Sequence, residues 1–214
     1  MARSRPAVVV FARAPVAGHV KTRLASRLGA AGAARLQARL TANAVDTALR
    51  AQIGVVELHG APARHQFLRL LGSRARIAVR PQKGKDLGER MRNAFERVLR
   101  RHRPVVLIGA DCPALTPGDL RRAVRLLRGG ADVVLAPAED GGYALVGLRR
   151  VRPRLFEDIA WGGAEVLAQT LRRAGEARLA PRALRTVWDV DRPPDLERLR
   201  ALRFRAGARR AARR

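Results

Sequence analysis

Five short runs rich in Val, Ile and Leu, separated by stretches of helical periodicity, constrain this chain more than any other feature. The runs occupy 7–12, 53–58, 76–80, 105–109 and 132–136. Continuous apolar runs of this length read as strands buried on both faces. The stretches 35–50, 66–71, 86–101 and 118–128 place apolar residues at helical spacing between them. This β-α-β alternation predicts an α/β fold: a mainly parallel sheet with helices on both sides, in three layers. In such sheets the ligand lies beyond the carboxyl ends of the strands. The residues that follow each strand are therefore the ones to read for function.

Composition narrows the possibilities further. A chain of 214 residues with 47% hydrophobic content has enough apolar material for one core. The expected organisation is a single domain over 1–202 and a basic tail over 203–214, which holds six arginines and no acid and is expected to be disordered. No run reaches the ~18 apolar residues of a membrane span, and the Arg-rich start enters the first strand without a cleavage-like site. A cytoplasmic protein is expected. The one cysteine, Cys112, excludes an intramolecular disulfide and a thiolate metal centre, and is expected to pack as a small apolar residue. The net charge of +26 comes almost wholly from arginine, since Lys21, Lys83 and Lys85 are the only lysines. Charge alone would favour a non-catalytic nucleic-acid-binding protein. The arginines are spread along the chain, as at Arg121, Arg122, Arg125 and Arg128, and aromatics make up only 4%. With no recognised module and few rings to stack on bases, nucleic acid ranks last among the partners considered.

Four strand ends carry chemistry. After the first comes RAPVAGHVKTR, with Pro15, Gly18, Lys21 and Arg23 ahead of a helix expected to begin near Thr22. Cations and free amide groups at a helix N-terminus suit a di- or triphosphate. The loop lacks the glycine that precedes the lysine of a Walker A motif, and G-x-G-x-x-G is absent; an ordinary solvated loop is the alternative. After the fourth strand comes GADCPALTP, which puts Asp111 at the strand's end, where a carboxylate can hold Mg²⁺ or Mn²⁺. Thr116, Pro117 and Asp119 read instead as the cap and first turn of the next helix. After the fifth comes PAEDGGYALVG, with Glu139 and Asp140 followed by Gly141, Gly142 and Tyr143. The glycines let backbone approach a ligand, and Asp-Gly is equally a hairpin turn. Near the end, WDVDRPPDL places Asp189 and Asp191 two apart leaving an expected strand, so that both can face one cation, with Asp195 in a helical first turn. Serine-hydrolase and H-E-x-x-H patterns are absent, and of the four histidines only His19 falls in one of these loops.

The segments FARAPVAGHVKTRL, DLGERMRNAF, VVLIGADCPALTP, VVLAPAEDGGYALVGL, LFEDIAW and WDVDRPPDL, in this order up to about Leu202, resemble the bacterial glycosyltransferase-like family of GT-A fold known as arsenosugar-biosynthesis or radical-SAM-associated transferase 1. The wider group is similar to molybdenum cofactor guanylyltransferase and 2-phospho-lactate guanylyltransferase. The resemblance implies that Lys21 and Arg23 contact nucleotide phosphates. It implies that Asp111 binds metal together with Asp189 or Asp191, and that Asp140 to Tyr143 line the acceptor side. It also implies that 82–90, with Gly84, Leu87 and Gly88, lies near the nucleotide base. Two departures stand out. Gly162-Gly163 occupies the place of a small residue followed by Thr or Ser, and Arg192 that of a Thr before Pro193.

The expected activity is metal-dependent transfer of a glycosyl group from a nucleoside-diphosphate sugar to a small acceptor. Asp140 or Glu139 would take the acceptor's proton if configuration inverts. Nucleotidyl transfer from a nucleoside triphosphate would use the same loop and metal and is the alternative.

Overall fold

The computed structural model describes residues 4–211. Seven strands form one sheet in the order β3-β2-β1-β4-β6-β5-β7. They are β1 (Ala7–Arg13), β2 (Val55–Ala61), β3 (Ala78–Pro81), β4 (Val105–Gly109), β5 (Val133–Pro137), β6 (Tyr143–Leu148) and β7 (Pro181–Ala183). Six helices accompany them: α1 (Ala25–Ala51), α2 (Gln66–Ala75), α3 (Leu87–Val98), α4 (Pro117–Arg128), α5 (Val166–Glu176) and α6 (Pro193–Ala211). All sheet pairings are parallel except those of β6, which runs antiparallel between β4 and β5. The expected tail overlaps α6 as far as 211, and 212–214 lie outside the described residues.

Alternation along β1 divides the core. Val8, Val10 and Ala12 face one layer, with Ala44, Val45 and Ala48 of α1, Leu68 of α2 and Leu120, Val124 and Leu127 of α4. Ala7, Val9 and Phe11 face the other, with Met91, Phe95 and Val98 of α3 and Ala174 of α5. A third cluster joins Leu24, Leu36 and Leu40 to Val190 and Leu199, which fastens the start of α6 against the region behind the first loop.

The predicted strands are present, with shifted ends. The second begins at Val55 and not at Ile53, because Gln52 takes a left-handed conformation and Gly54 lies flat against the backbone of Pro6, where an added Cβ would come within 1.9 Å of the carbonyl oxygen. At α4 the cap is as the residues imply. Thr116 accepts from the Asp119 N–H at 3.2 Å, Asp119 answers from the Thr116 N–H at 2.9 Å, and Pro117 opens the helix. Among the described residues no helix is long and apolar enough to cross a membrane.

Phe95 is fully buried and stacks on Phe156, with ring centroids 5.8 Å apart. Phe95→Ala is expected to cost about 3–5 kcal/mol. In urea unfolding this appears as a lowered midpoint at unchanged slope.

Candidate active site

The carboxyl ends of β1 and β4 lie side by side, with Phe11 opposite Gly109 and the Ala110 N–H donating to the Phe11 carbonyl at 3.0 Å. The loops that leave these two strands are therefore adjacent by sheet register alone. From β1 the chain passes Pro15, turns at Gly18 (φ 81) and reaches Lys21, whose own backbone is left-handed at φ 50, ψ 39. The Lys21 side chain is only 4% exposed, and its Nζ stands 2.9 Å from Asp111 Oδ2 and 4.0 Å from Asp191 Oδ1. Arg23, at 65% side-chain exposure, pairs with the other oxygen of Asp191 from the solvent side. A backbone hydrogen bond from the Val190 N–H to the Asp111 carbonyl, 3.0 Å, ties the last acidic segment to the end of β4. Residues 21, 111 and 191 thus meet through register, a turn and one main-chain bond.

The helix expected to back this loop differs from the sequence reading. Thr22–Leu24 is a 3₁₀ turn, and α1 is broken at Gly29 (φ 66, ψ 163). The favourable dipole end behind Lys21 therefore belongs to a short helical piece and not to the long helix.

The remaining acids gather from the other side. The strand expected to lead into Asp189 shrinks to a single bridge between Val187 and Ala138. Bonds from Val187 N–H to the Pro137 carbonyl (2.8 Å) and from Glu139 N–H to the Val187 carbonyl (3.0 Å) hold that segment along the exit of β5. Burial, followed by the charges of Asp140 and Asp111, pushes the Asp189 carboxyl up to about 6, against the opposing pull of its own backbone N–H and Lys21. Asp140 uses Oδ1 to accept the Gly142 N–H at 2.9 Å.

Glu139 is committed elsewhere. Arg198 grips both of its oxygens at 2.7 and 2.9 Å and lies over the Trp188 ring at 4.5 Å, and this pairing holds the carboxyl below its usual range. The Glu139–Arg198 contact spans 59 positions, and no local signal in the sequence announces it.

Three carboxylates closing on one cation were expected at Asp111, Asp189 and Asp191. Among the described residues no group of three or more His, Cys, Asp or Glu side chains is so arranged. Both oxygens of Asp191 face cations instead, and Lys21 lies against Asp111.

Several glycines serve the fold. Gly141 (φ 88) lies on the backbone of Ala164, where a Cβ would come within 1.9 Å of a carbonyl oxygen. Gly88 packs against the chain's own Trp161 indole, 2.6 Å from an added Cβ, where the sequence suggested a nucleotide base. Gly84 (φ 141) turns the chain into Asp86, which caps α3 by accepting the Glu89 N–H at 2.8 Å. Leu87, beside it, is exposed. Gln82 donates to the carbonyls of Ala12 (3.2 Å) and His59 (2.9 Å), tying this loop to the ends of β1 and β2. The Tyr143 hydroxyl is buried near Thr170, with no hydrogen-bond partner among the described residues, and burial holds its pKa well above 10.

The two departures have different outcomes. At α5, after Gly162-Gly163, Glu165 gives no side-chain cap. At α6, Asp195 accepts from the N–H groups of Asp191 (3.0 Å) and Arg192 (2.7 Å), which is the acid's half of a capping box, while Arg192 offers no capping oxygen in return.

No curated protein compared with the chain matches it. Among solved structures, one from Desulfovibrio desulfuricans G20, provisionally named a nucleotide-diphospho-sugar transferase, is 29% identical with a TM-score of 0.81, over 88% of this chain and 83% of that one. CMP:2-keto-3-deoxy-manno-octonic acid synthetase, complexed with CTP, is 14% identical with a TM-score of 0.63, over 95% of this chain and 100% of that one. Rv0371C of Mycobacterium tuberculosis H37Rv, in complex with manganese, is 22% identical with a TM-score of 0.57, over 92% and 98%. The last two speak to the fold alone. The mostly parallel seven-stranded sheet flanked by helices is that of the nucleotide-diphospho-sugar transferases, and the similar structures include proteins named as sugar- and nucleotidyltransferases. Residues 41–163, more than half of the chain, match the family described as "Uncharacterized protein conserved in bacteria (DUF2064)", and the chain belongs to that family.

Proposed function

We propose that this protein is a metal-dependent transferase that passes a glycosyl group from a nucleoside-diphosphate sugar to a small acceptor. The observation that carries the reading is the nearly buried Lys21 ammonium held against Asp111 and near Asp191 at the strand ends. The likeness to the Desulfovibrio desulfuricans protein supports a sugar nucleotide in particular.

Within this reading, Lys21 and Arg23 bind the diphosphate oxygens. Positive groups fixed where charge grows on the departing diphosphate favour the transition state over the bound substrate. Asp111 and Asp189 are the residues that would hold Mg²⁺ or Mn²⁺. Their donor chemistry fits a hard cation, since both offer only oxygen and Asp189 suffers like-charge crowding that a cation relieves. When bound, the ion would supply further positive charge to the diphosphate. Asp191, engaged with Arg23, serves to orient the basic loop. Asp140 is the better candidate to accept the acceptor's proton, because its second oxygen accepts no hydrogen bond among the described residues, whereas Arg198 occupies Glu139.

Nucleotidyl transfer is the second reading, favoured by the CTP-bound structure among the fold's neighbours. It would use the same loop and acids, with attack at the α-phosphate and pyrophosphate leaving.

A thermal-shift panel with Mn²⁺ separates them. Stabilisation by one diphosphate sugar is the expected result, and stabilisation by triphosphates alone would replace the first reading with the second. Asp111→Ala is expected to lower metal-dependent turnover by about 10²-fold or more; full turnover in that variant would remove the scheme.

Asp189 also makes a prediction about stability. Its folded pKa, about 6, lies above its ordinary 3.8, so its favourable contribution is complete below about pH 4 and is lost as pH rises through 6. Asp189→Asn, which mimics the protonated acid, should therefore melt at a higher temperature than the parent at pH 8. The two should converge near pH 4.

A further inference from the structure

The preceding reading, on which this inference rests, assigns two kinds of positive charge to one group of carboxylates. Lys21 already stands at Asp111, 2.9 Å away and shielded from water, while the more exposed Arg23 takes the outer position. We propose that the Lys21 ammonium stands in for the divalent cation in the ligand-free protein. Cation binding then displaces it from Asp111 toward the nucleotide phosphates.

Three observations support the exchange. The backbone at Lys21 adopts φ 50, a conformation disfavoured for a residue bearing a Cβ, and the Leu24 N–H holds its carbonyl at 2.9 Å. The chain is thus held in an unusual shape at the residue whose side chain enters the acidic group. Next, the carboxylates do not form a ready-made set of three, and Asp111 and Asp191 both face Lys21. A cation that draws on Asp111 Oδ2 therefore takes over an existing partner. Finally, the main-chain bond between Val190 and Asp111 is independent of these side chains, so the acids stay together when the ammonium leaves. An unbranched stem with three rotatable donors can re-aim at a phosphate without moving the backbone.

The consequence is coupling. A cation that arrives alone at Asp111 Oδ2 breaks the Lys21 pair, whereas phosphates give the ammonium a new partner, so cation and nucleotide each tighten the binding of the other. Lys21 acts here as a positioning residue that makes metal affinity depend on nucleotide.

Titration with Mn²⁺ alone, followed by the electron paramagnetic resonance of the free ion, tests this on the full chain. Lys21→Met is expected to bind Mn²⁺ more tightly than the parent, by roughly 5- to 150-fold. Lys21→Arg, which keeps the charge, should bind as weakly as the parent. Equal or weaker binding by Lys21→Met overturns the inference while leaving the cation site standing. No Mn²⁺ binding by any of the three proteins overturns the cation reading itself and the inference with it. Should Lys21→Met fail to fold, the parent protein supplies the readout. With only three lysines, acetic anhydride labelling of Lys21 can be followed by peptide mass. Labelling should be slow without metal and faster with Mn²⁺, and an unchanged rate overturns the exchange.

Discussion

An ammonium group almost wholly withdrawn from water must be answered by negative charge close at hand, and Lys21 is answered by Asp111. Much of the candidate site is arranged around that requirement. The loop after β1 bends into a left-handed residue to deliver the lysine, and the Val190–Asp111 bond brings the last acidic segment within reach. Asp191 then pairs with Arg23, and Asp189 is left crowded by Asp111 and Asp140. Acids from three separate stretches are drawn together beside the basic loop, at the edge of the sheet where a parallel α/β fold opens its crevice.

The antiparallel β6 matters to this arrangement. Because it returns between β4 and β5, the turn carrying Asp140 lies at the same edge as Asp111, beside the strand end it must complement. Gly141 allows this turn to lie flat on Ala164, and the Val187–Ala138 bridge fixes the acidic segment along its flank. Packing that looks incidental to chemistry sets where the carboxylates stand.

Much of this was legible in the sequence. The five apolar runs mark five of the seven strands, β6 and β7 lying outside them, and the helical stretches between mark the layers, since continuous hydrophobicity and helical periodicity are local properties. Lys21 and Asp111 could be singled out because each follows a strand. Their partners could not. The pairing of Arg198 with Glu139 and the packing of Gly88 on Trp161 join distant positions, and local pattern carries no trace of them. The same limit explains Asp191, whose spacing from Asp189 suggested a shared cation and whose oxygens instead face Arg23 and Lys21. The break at Gly29 was missed because glycine alone does not reveal whether a helix bends or continues.

Asp111 and Asp189 are proposed to hold a divalent cation beside a nucleotide's phosphates. Anomalous diffraction from crystals grown with Mn²⁺ and the stabilising nucleotide tests it most directly. A manganese peak beside those two carboxylates, with the Lys21 ammonium turned to a phosphate oxygen, is the expected result. A peak elsewhere, or a nucleotide bound with Lys21 still against Asp111 and no metal between, would contradict it.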